Sequence, residues 1–242
     1  MIGLICSVDF ECVKIHNELL MGRTFPLGGL EFIRGVLSGK EVVLTSSGVG
    51  KTNAAHATTL MAERFHPRLI INFGVGGAYP GSGPGVCTIA VADREIYGDE
   101  GVLLANSFRD MRFLGLPLLS ISSAGGTGSD KDIYNEIPLD RELVDKISSL
   151  LEPAKTAVGP FVTLSCMTGS GSRAGSLRRR YGAICENMEG ASVAHVCQMH
   201  GIPFLEIRGI SNIVEERDKR KWKLKEASGI CQEALLEVIE KI

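Results

Sequence analysis

The sequence has little net charge and lacks the long apolar runs of a membrane protein. Its 242 residues carry a formal charge of −2 at pH 7, whereas a nucleic-acid-binding protein is usually basic on one face. No apolar run reaches the ~18 residues that cross a bilayer. The opening residues, Met1 to Cys6, contain no basic segment of the kind that begins a secretory signal. We therefore expect a cytoplasmic protein without nucleic-acid or membrane partners.

The cysteines also lack the spacing of a metal site or a disulfide framework. They are odd in number and scattered, and no two of them form a Cys-x-x-Cys pair: Cys6, Cys12, Cys87, Cys166, Cys185, Cys197 and Cys231. Most of them lie in apolar segments, which is typical of buried free thiols in a reducing compartment. We therefore expect neither a disulfide framework nor a zinc site.

Apolar residues and glycine are plentiful. The hydrophobic set makes up 44% of the chain, enough for a sizeable core, and the length suits one large domain. The 29 glycines are about 12% of the residues, against a usual share of roughly 7%. Such an excess favours close backbone approaches, at turns or around a ligand.

Short Val- and Ile-rich runs alternate with amphipathic segments, which predicts an α/β protein. The predicted strands are 2–8, 30–37, 41–46, 69–73, 85–92, 94–97, 154–164 and 203–210. The predicted helices are 9–21, 51–65, 140–151, 189–200 and 224–242. We expect a single domain over 1–242, with helices on both faces of a mixed, largely parallel central sheet in a three-layer α/β/α arrangement. The irregular stretch 98–130 is expected to be an insertion that covers the substrate.

Two glycine-rich segments resemble nucleotide-binding turns but depart from their patterns. The segment 47–52 ends like a P-loop, yet Thr45 stands where the first glycine of that motif must be. The segment 72–78 follows an apolar strand, but Tyr79 replaces the third glycine of a dinucleotide fingerprint. Either turn can direct backbone N–H groups at a ligand, and simple helix-on-strand packing explains the glycines equally well.

The densest group of polar residues lies at 186–212. The segment 186–190, Glu-Asn-Met-Glu-Gly, leads into a predicted helix, and the apolar strand after that helix ends in Arg-Gly-Ile-Ser-Asn at 208–212. Polar groups at the carboxyl end of a buried strand indicate a site, although spacing alone is equally consistent with ordinary capping and ion pairing.

These two segments resemble the purine nucleoside phosphorylase and nucleosidase superfamily. The resemblance continues through 4–11, 47–51, 71–77 and 85–93, so it covers nearly the whole chain in the expected order. Within the superfamily, the segments 93–97, 159–163, 187–190 and 206–212 are most similar to the futalosine hydrolases. The resemblance implies a nucleoside phosphorylase-like fold, a small-molecule nucleoside as substrate, a homo-oligomer, and no metal or cofactor.

The resemblance also implies roles for four catalytic residues. Glu11 matches the carboxylate that positions and activates the attacking water, and Arg208 matches an arginine that holds this carboxylate. Glu189 matches the carboxylate that binds the ribose hydroxyls, where its charge favours an oxocarbenium-like sugar. Asn212 is expected to contact the purine base.

A further group is expected to bind the substrate. Met188 matches an apolar residue packed under the sugar, and residues from 161 to 168 fall where the family builds its base pocket. The expected binding residues are Asn187, Met188, Phe161, Gly76, Ser211, Met167 and Thr168.

Asn212 departs from the adenine-selective members of the superfamily, which carry Asp at this position. An amide can donate to O6 of hypoxanthine and accept from N7, whereas a carboxylate would face O6 as a second acceptor. We therefore expect hydrolysis of futalosine to hypoxanthine and dehypoxanthine futalosine, a step towards menaquinone. The alternatives are phosphorolysis or hydrolysis of another purine nucleoside, of the inosine or methylthioadenosine/S-adenosylhomocysteine type, and non-catalytic nucleoside binding.

Overall fold

A computed structural model describes residues 1–105, 107–121, 131–215 and 218–242 of the chain. The predicted insertion over 98–130 therefore lies outside the described residues at position 106 and at 122–130. The strands are β1 (Ile2–Cys6), β2 (Leu20–Leu27), β3 (Leu30–Leu37), β4 (Lys40–Ser46), β5 (Ile70–Ala78), β6 (Ile89–Tyr97), β7 (Gly101–Leu104), β8 (Ser107–Asp110), β9 (Leu119–Ile121), β10 (Lys131–Ile133), β11 (Glu136–Pro138), β12 (Thr156–Thr163), β13 (Cys185–Asn187) and β14 (Phe204–Ile213). The helices are α1 (Val13–Glu18), α2 (Lys51–Phe65), α3 (Met111–Leu114), α4 (Arg141–Ser149), α5 (Gly171–Tyr181), α6 (Gly190–His200) and α7 (Leu224–Lys241).

Ten of these strands form the mixed central sheet that the sequence predicts. Along its main path the order is β11-β6-β12-β13-β5-β1-β4-β3-β2, and β14 pairs with both β5 and β6. Parallel pairing joins β1 to β4 and β5, β12 to β6 and β13, and β14 to β5. Antiparallel pairing adds β3 and β2 at one edge and β11 at the other, and it also joins β13 to β5 and β14 to β6.

Helices cover both faces of the sheet, as a three-layer arrangement requires. On one face, α7 packs against β5 and β14, and apolar residues of α4 and α7 share a core cluster with β1, β4 and β5. On the other face, α2 and α6 pack against each other and contribute to a second cluster. The apolar runs at the centre of the sheet are buried on both sides, which is why they read as continuous rather than alternating segments.

The structure differs from the predicted elements in several places, and the strands β2, β7, β8, β9, β10, β11 and β13 were not predicted. The predicted helix 9–21 is shorter, because a 3₁₀ turn (Asp9–Glu11) precedes α1 and the chain enters β2 at Leu20. The helix α5 was not predicted, since its only buried residues are Ala174, Leu177 and Tyr181 within a run of Gly, Ser and Arg. The predicted strands 85–92 and 94–97 form one strand, β6.

The strand β14 contains an irregularity that matters for the site. Its register against β5 shifts between Ile210 and Asn212, so Ser211 is an extra residue on this strand. A bulge of this kind bends the strand and changes the direction of the side chains that follow. In the part of the chain that the structure describes, no helix is long and apolar enough to cross a membrane.

Candidate active site

A cavity of about 320 Å³ lies at the carboxyl ends of β1, β5, β13 and β14. The carboxyl edge of parallel strands is the usual position of a ligand crevice in an open α/β sheet. The volume is within the range of small-molecule sites. Its charged lining, among the described residues, consists of Glu11, Glu186, Glu189, Glu215 and Arg208.

Glu11 is held in the cavity wall by backbone amides. Its Oε2 accepts hydrogen bonds from the N–H of Ser7 (3.0 Å) and Val8 (3.2 Å), and its Oε1 accepts one from Val75 (2.8 Å). The carboxylate fits because Gly74 has no side chain: a Cβ there would lie 2.4 Å from Oε1. Burial raises the pKa of Glu11, while Arg208 and the backbone donors oppose the rise.

Arg208 is the largest fully buried side chain of the described residues, and carboxylates surround it. Its Nε lies 2.7 Å from Oε1 of Glu206, and its Nη2 lies 3.6 Å from Oε2 of Glu189. Its Nη1 donates to the carbonyl of Val75 at 3.3 Å. Burial lowers the pKa of Arg208, but the charges of its carboxylate neighbours outweigh that effect and raise it.

The expected direct contact between Arg208 and Glu11 is therefore replaced by a different arrangement. Within the described ranges, the carboxylates in ion-pair contact with Arg208 are Glu206 and Glu189. The guanidinium is still close to Glu11, since a Cβ at Gly74 would lie 2.9 Å from Nη1. Arg208 thus acts on Glu11 through its charge, and backbone donors set the position of the carboxylate.

Glu189 links the site to the glycine-rich turn at 47–52. Its Oε1 accepts a hydrogen bond of 2.9 Å from the N–H of Gly50, and its side chain is almost fully buried. The neighbouring Lys51 is directed elsewhere, towards Asp99 and Glu100. This turn therefore presents a backbone donor to a carboxylate and keeps its lysine outside the cavity.

Asn212 reaches the cavity through the bulge at Ser211. The hydroxyl of Ser211 donates to Oδ1 of Asn212 at 2.8 Å, which orients the amide. The Ser211 hydroxyl is also 3.1 Å from the carbonyl of Gly76. Nδ2 of Asn212 is 3.2 Å from the carbonyl of Ile213 and lies on the lining of the cavity.

Asn187 caps the start of α6 with its side-chain oxygen. Oδ1 accepts from the N–H of Glu189 (3.0 Å) and of Gly190 (2.8 Å), and from the hydroxyl of Thr163 (2.8 Å). Its buried Nδ2 has no hydrogen-bond partner among the described residues. The side chain therefore fixes Glu189 at the helix entry and keeps one donor free at the cavity wall.

The structure brings the predicted residues together with one exception. Ten line the cavity: Glu11, Gly76, Met167, Thr168, Asn187, Met188, Glu189, Arg208, Ser211 and Asn212. Phe161 does not, because it is fully buried in a core cluster with Ala78 and Ile210. Phe161 is two residues from the end of β12, and its ring packs into the sheet core instead of the cavity.

The apolar mouth of the cavity comes from residues that were not among the expected binding residues. It is formed by Phe10, Val49, Trp222 and Leu224. The segment 98–130 was expected to cover the substrate, but none of its described residues lines the cavity. Phe113 is exposed beside Arg109, and Phe108 lies under Arg180.

Three buried glutamates were also missed by sequence reasoning. Glu186 lines the cavity and accepts from the hydroxyl of Tyr79 (3.1 Å) and the N–H of Thr168 (3.2 Å). Burial raises its pKa. Glu206 and Glu95 lie deeper, beyond Arg208, and both are fully buried.

Comparisons with known proteins agree with this fold. A family model described as the phosphorylase superfamily matches residues 1–241. The chain is 34% identical over 191 residues to a futalosine hydrolase of Thermus thermophilus, covering 79% of this chain and 78% of the relative. It is 30% identical over 227 residues to a 5'-methylthioadenosine/S-adenosylhomocysteine nucleosidase of Psychromonas ingrahamii, covering 92% and 90%.

Solved structures show the same architecture. The nucleosidase of Neisseria meningitidis in complex with methylthio-immucillin-A superposes with a TM-score of 0.83, at 21% identity and with 100% of this chain and 99% of that chain covered. At that identity the similarity concerns the fold alone. Since the family model spans nearly the entire sequence, this chain belongs to the phosphorylase superfamily.

Proposed function

We propose that this chain is a nucleoside hydrolase that cleaves the N-glycosidic bond of futalosine, releasing hypoxanthine and dehypoxanthine futalosine. The similarity to a futalosine hydrolase and to methylthioadenosine/S-adenosylhomocysteine nucleosidases supports N-glycosidic hydrolysis in general. The futalosine assignment, and with it a place in menaquinone synthesis, depends in addition on the amide at Asn212.

The charge of the cavity is the observation that carries the proposal. Four carboxylates line it, and its one cation within the described ranges, Arg208, is already paired with Glu206 and Glu189. A phosphate nucleophile would meet repulsion from these carboxylates, whereas a water molecule carries no charge to repel. The lining therefore favours hydrolysis over phosphorolysis.

Glu11 is the group suited to activate that water. Its carboxylate is fixed by three backbone N–H donors and still has lone pairs for a water proton. As the water oxygen forms its bond to C1′ of the ribose, its proton passes to Glu11. The electron pair of the C–N bond leaves with the base, which takes a proton from solvent water, and Glu11 afterwards returns its proton to solvent.

Glu189 is suited to bind the sugar during this step. Its two oxygens can accept from the two vicinal ribose hydroxyls, in exchange for the contact with Gly50. Its negative charge stabilises the positive charge that develops on the ribose, so its effect is largest in the transition state.

A methylthioadenosine/S-adenosylhomocysteine nucleosidase is the second candidate, because relatives with that name match more of the chain than the futalosine hydrolase does. The apolar mouth formed by Phe10, Val49, Trp222 and Leu224 would accept a thioether substituent as well as an aromatic one. Asn212 argues against an adenine leaving group, since the amide donor faces an amino group at position 6. A non-catalytic nucleoside-binding protein would have no use for a buried carboxylate at position 11.

One assay separates these functions. Purified protein is incubated with futalosine, inosine and methylthioadenosine, each with and without phosphate, and the released base is measured. Hypoxanthine released from futalosine at a rate independent of phosphate is the expected result. Phosphate-dependent formation of ribose 1-phosphate from inosine, or preferential release of adenine, contradicts the proposal, and no release from any nucleoside supports simple binding.

The cytoplasmic location and the homo-oligomer remain predictions. Light scattering of the purified protein tests the oligomer directly.

A further inference from the structure

We propose that Lys51 and Asp99 form an ionic clasp that holds two sides of the cavity at a fixed distance, which makes both of them positioning residues for hydrolysis. One side is the glycine-rich turn at 47–52, on the proposed ribose side, and the other is the loop between β12 and α5, on the proposed base side. This inference rests on the proposed function. Neither Lys51 nor Asp99 lines the cavity, so both act through the segments that they join.

The carboxylate of Asp99 joins the two segments through its two oxygens. Oδ1 is in contact with Nζ of Lys51, which follows the glycines of the turn. Oδ2 accepts hydrogen bonds from the N–H of Ser165 (2.6 Å) and of Cys166 (3.4 Å), which belong to the loop. The side chains of Lys51 and Asp99 are only 14% and 21% exposed, so water screens this ion pair less than it screens a pair on the open surface.

The glycine-rich turn has a backbone that needs a tether. Gly48 and Gly50 have φ angles of 85° and 97°, a region that glycine enters freely and that leaves the turn little stiffness of its own. Lys51 follows directly as the first residue of α2. A cation is unfavourable at the positively polarised start of a helix, so the helix itself gives no reason for a lysine at this position. The ion pair with Asp99 gives one.

The loop between β12 and α5 also depends on the clasp. It contains no helix or strand, so its backbone N–H groups need partners outside regular structure. Asp99 is the partner for Ser165 and Cys166, and the next two residues, Met167 and Thr168, line the cavity. The clasp therefore fixes the backbone immediately before the lining residues of this loop.

The reaction has a specific need for this connection. An intact nucleoside contacts both sides of the cavity at once, and the bond that breaks lies between its sugar and its base. The free base contacts the base side alone. Because small errors of alignment at the reacting bond are costly, loss of the clasp should slow the chemical step and change the binding of the free base little.

The first test compares these two quantities in variants that break the ion pair. Lys51→Met removes the charge at similar length, and Asp99→Asn can still accept from the loop but presents an amide donor to Lys51. We expect kcat for nucleoside hydrolysis to fall by about tenfold or more in each variant. The inhibition constant of the released base, measured in the same assay, should change by less than about threefold.

Two results overturn the clasp. A wild-type kcat in both variants means that the ion pair does not position the reacting groups. An inhibition constant that weakens as much as kcat falls means that the loop has lost its structure as a whole, which is a purely structural role. The thermal transition of each variant checks that it is folded. Arg34→Met is the matched control, because it breaks an exposed ion pair with Glu41 far from this connection and should keep the wild-type kcat.

The second test is a double-mutant cycle. Since Lys51→Met and Asp99→Asn break the same contact, the double variant should be no slower than the slower single variant. Losses in kcat that multiply mean that the two residues act independently, and this also contradicts the clasp.

The outcomes distinguish this inference from the proposed function. If the wild type cleaves inosine or methylthioadenosine in place of futalosine, the futalosine assignment fails and the variants are compared on the nucleoside that is cleaved. If the wild type cleaves futalosine and both variants keep its kcat, the clasp fails and the hydrolase assignment stands. If the wild type cleaves no nucleoside, both are wrong.

Discussion

Nε of Arg208 lies 2.7 Å from Oε1 of Glu206, and both side chains are fully buried. The other oxygen of Glu206 has no hydrogen-bond donor among the described residues, and neither has Oε1 of Glu95. Burial and the neighbouring Glu206 raise the pKa of Glu95 well above its ordinary value. We predict that Glu95 holds a proton and donates it to Glu206, which would give both unpartnered oxygens a partner and leave one carboxylate to face the guanidinium.

This shared proton predicts an unusual pH dependence of stability. Because the folded protein holds a proton on Glu95 that the unfolded chain releases above about pH 4.3, stability should fall as the pH rises towards the folded pKa. In Glu95→Gln the amide replaces the protonated acid and nothing is released. Relative to wild type, the variant should therefore gain up to about 1.4 kcal/mol per pH unit over this range.

Denaturant unfolding of wild type and Glu95→Gln between pH 5 and 8 measures this difference. The exposed Glu31 of β3 offers a matched control, because Glu31→Gln removes the same group from a solvated position. If the difference between wild type and Glu95→Gln does not change with pH, Glu95 is ionised in the folded protein.

The two buried carboxyls should also substitute for each other. In Glu206→Gln, Glu95 can ionise and supply the charge that Arg208 needs, so we expect a loss below about 1 kcal/mol. The double variant Glu95→Gln/Glu206→Gln leaves the guanidinium without either carboxylate, and a loss of about 3 kcal/mol is expected. Strictly additive losses in a double-mutant cycle would contradict the exchange.

The sequence predicted the helical and strand segments whose apolar residues are regularly spaced, together with ten of the residues that line the cavity. The order of the strands, the bulge at Ser211 and the pairing of β13 with β5 depend on contacts between distant segments, and no local pattern records them. The helix α5 was missed because it buries only three residues.

The buried glutamates show where sequence reasoning fails for the site. Glu95 and Glu206 lie in apolar strands, and each by itself is equally consistent with a surface residue of an edge strand. Only the fold brings them together beyond Arg208. Phe161 shows the opposite error. It was expected to bind the base, but its ring is part of the hydrophobic core.

Glu11→Gln is expected to impair the chemical step. It keeps the size and one acceptor oxygen of the side chain but cannot take a proton from water. The value of kcat should fall by about 10² or more, the usual contribution of a general base, while KM changes little. Asp9→Asn, an exposed carboxylate two residues away, is the control, and turnover close to wild type in Glu11→Gln would remove Glu11 from the mechanism.

The pH profile gives an independent measure of the same group. Because burial raises the pKa of Glu11, the acid limb of kcat/KM should lie above the pH of about 4.3 at which an ordinary glutamate titrates. Activity is expected to fall as the pH decreases through this limb, and the residual activity of Glu11→Gln should not show it.

Glu189→Gln should lower kcat as well as raise KM. The amide can accept from only one ribose hydroxyl and carries no charge for the developing oxocarbenium ion, so most of the lost stabilisation belongs to the transition state. Steady-state kinetics with futalosine measure both parameters, and Glu215→Gln is the control for loss of a carboxylate from the cavity. A rise in KM at constant kcat would make Glu189 a binding residue only.

Asn212→Asp should alter the choice of base. Ser211 still donates to one oxygen of the new carboxylate, so the second oxygen replaces the Nδ2 donor and faces O6 of the base as acceptor against acceptor. A mismatched buried contact of this kind costs about 1–3 kcal/mol, and futalosine should lose kcat/KM accordingly. The 6-amino analogue should lose less kcat/KM, or gain, because its amino group can donate to the carboxylate.

The quantity to measure is the ratio of kcat/KM for futalosine to that for 6-amino-deoxyfutalosine. Asn212→Ala is the comparison that removes the donor without adding a charge. An unchanged ratio in Asn212→Asp would mean that Asn212 does not contact position 6, and the amide would then not explain a preference for hypoxanthine.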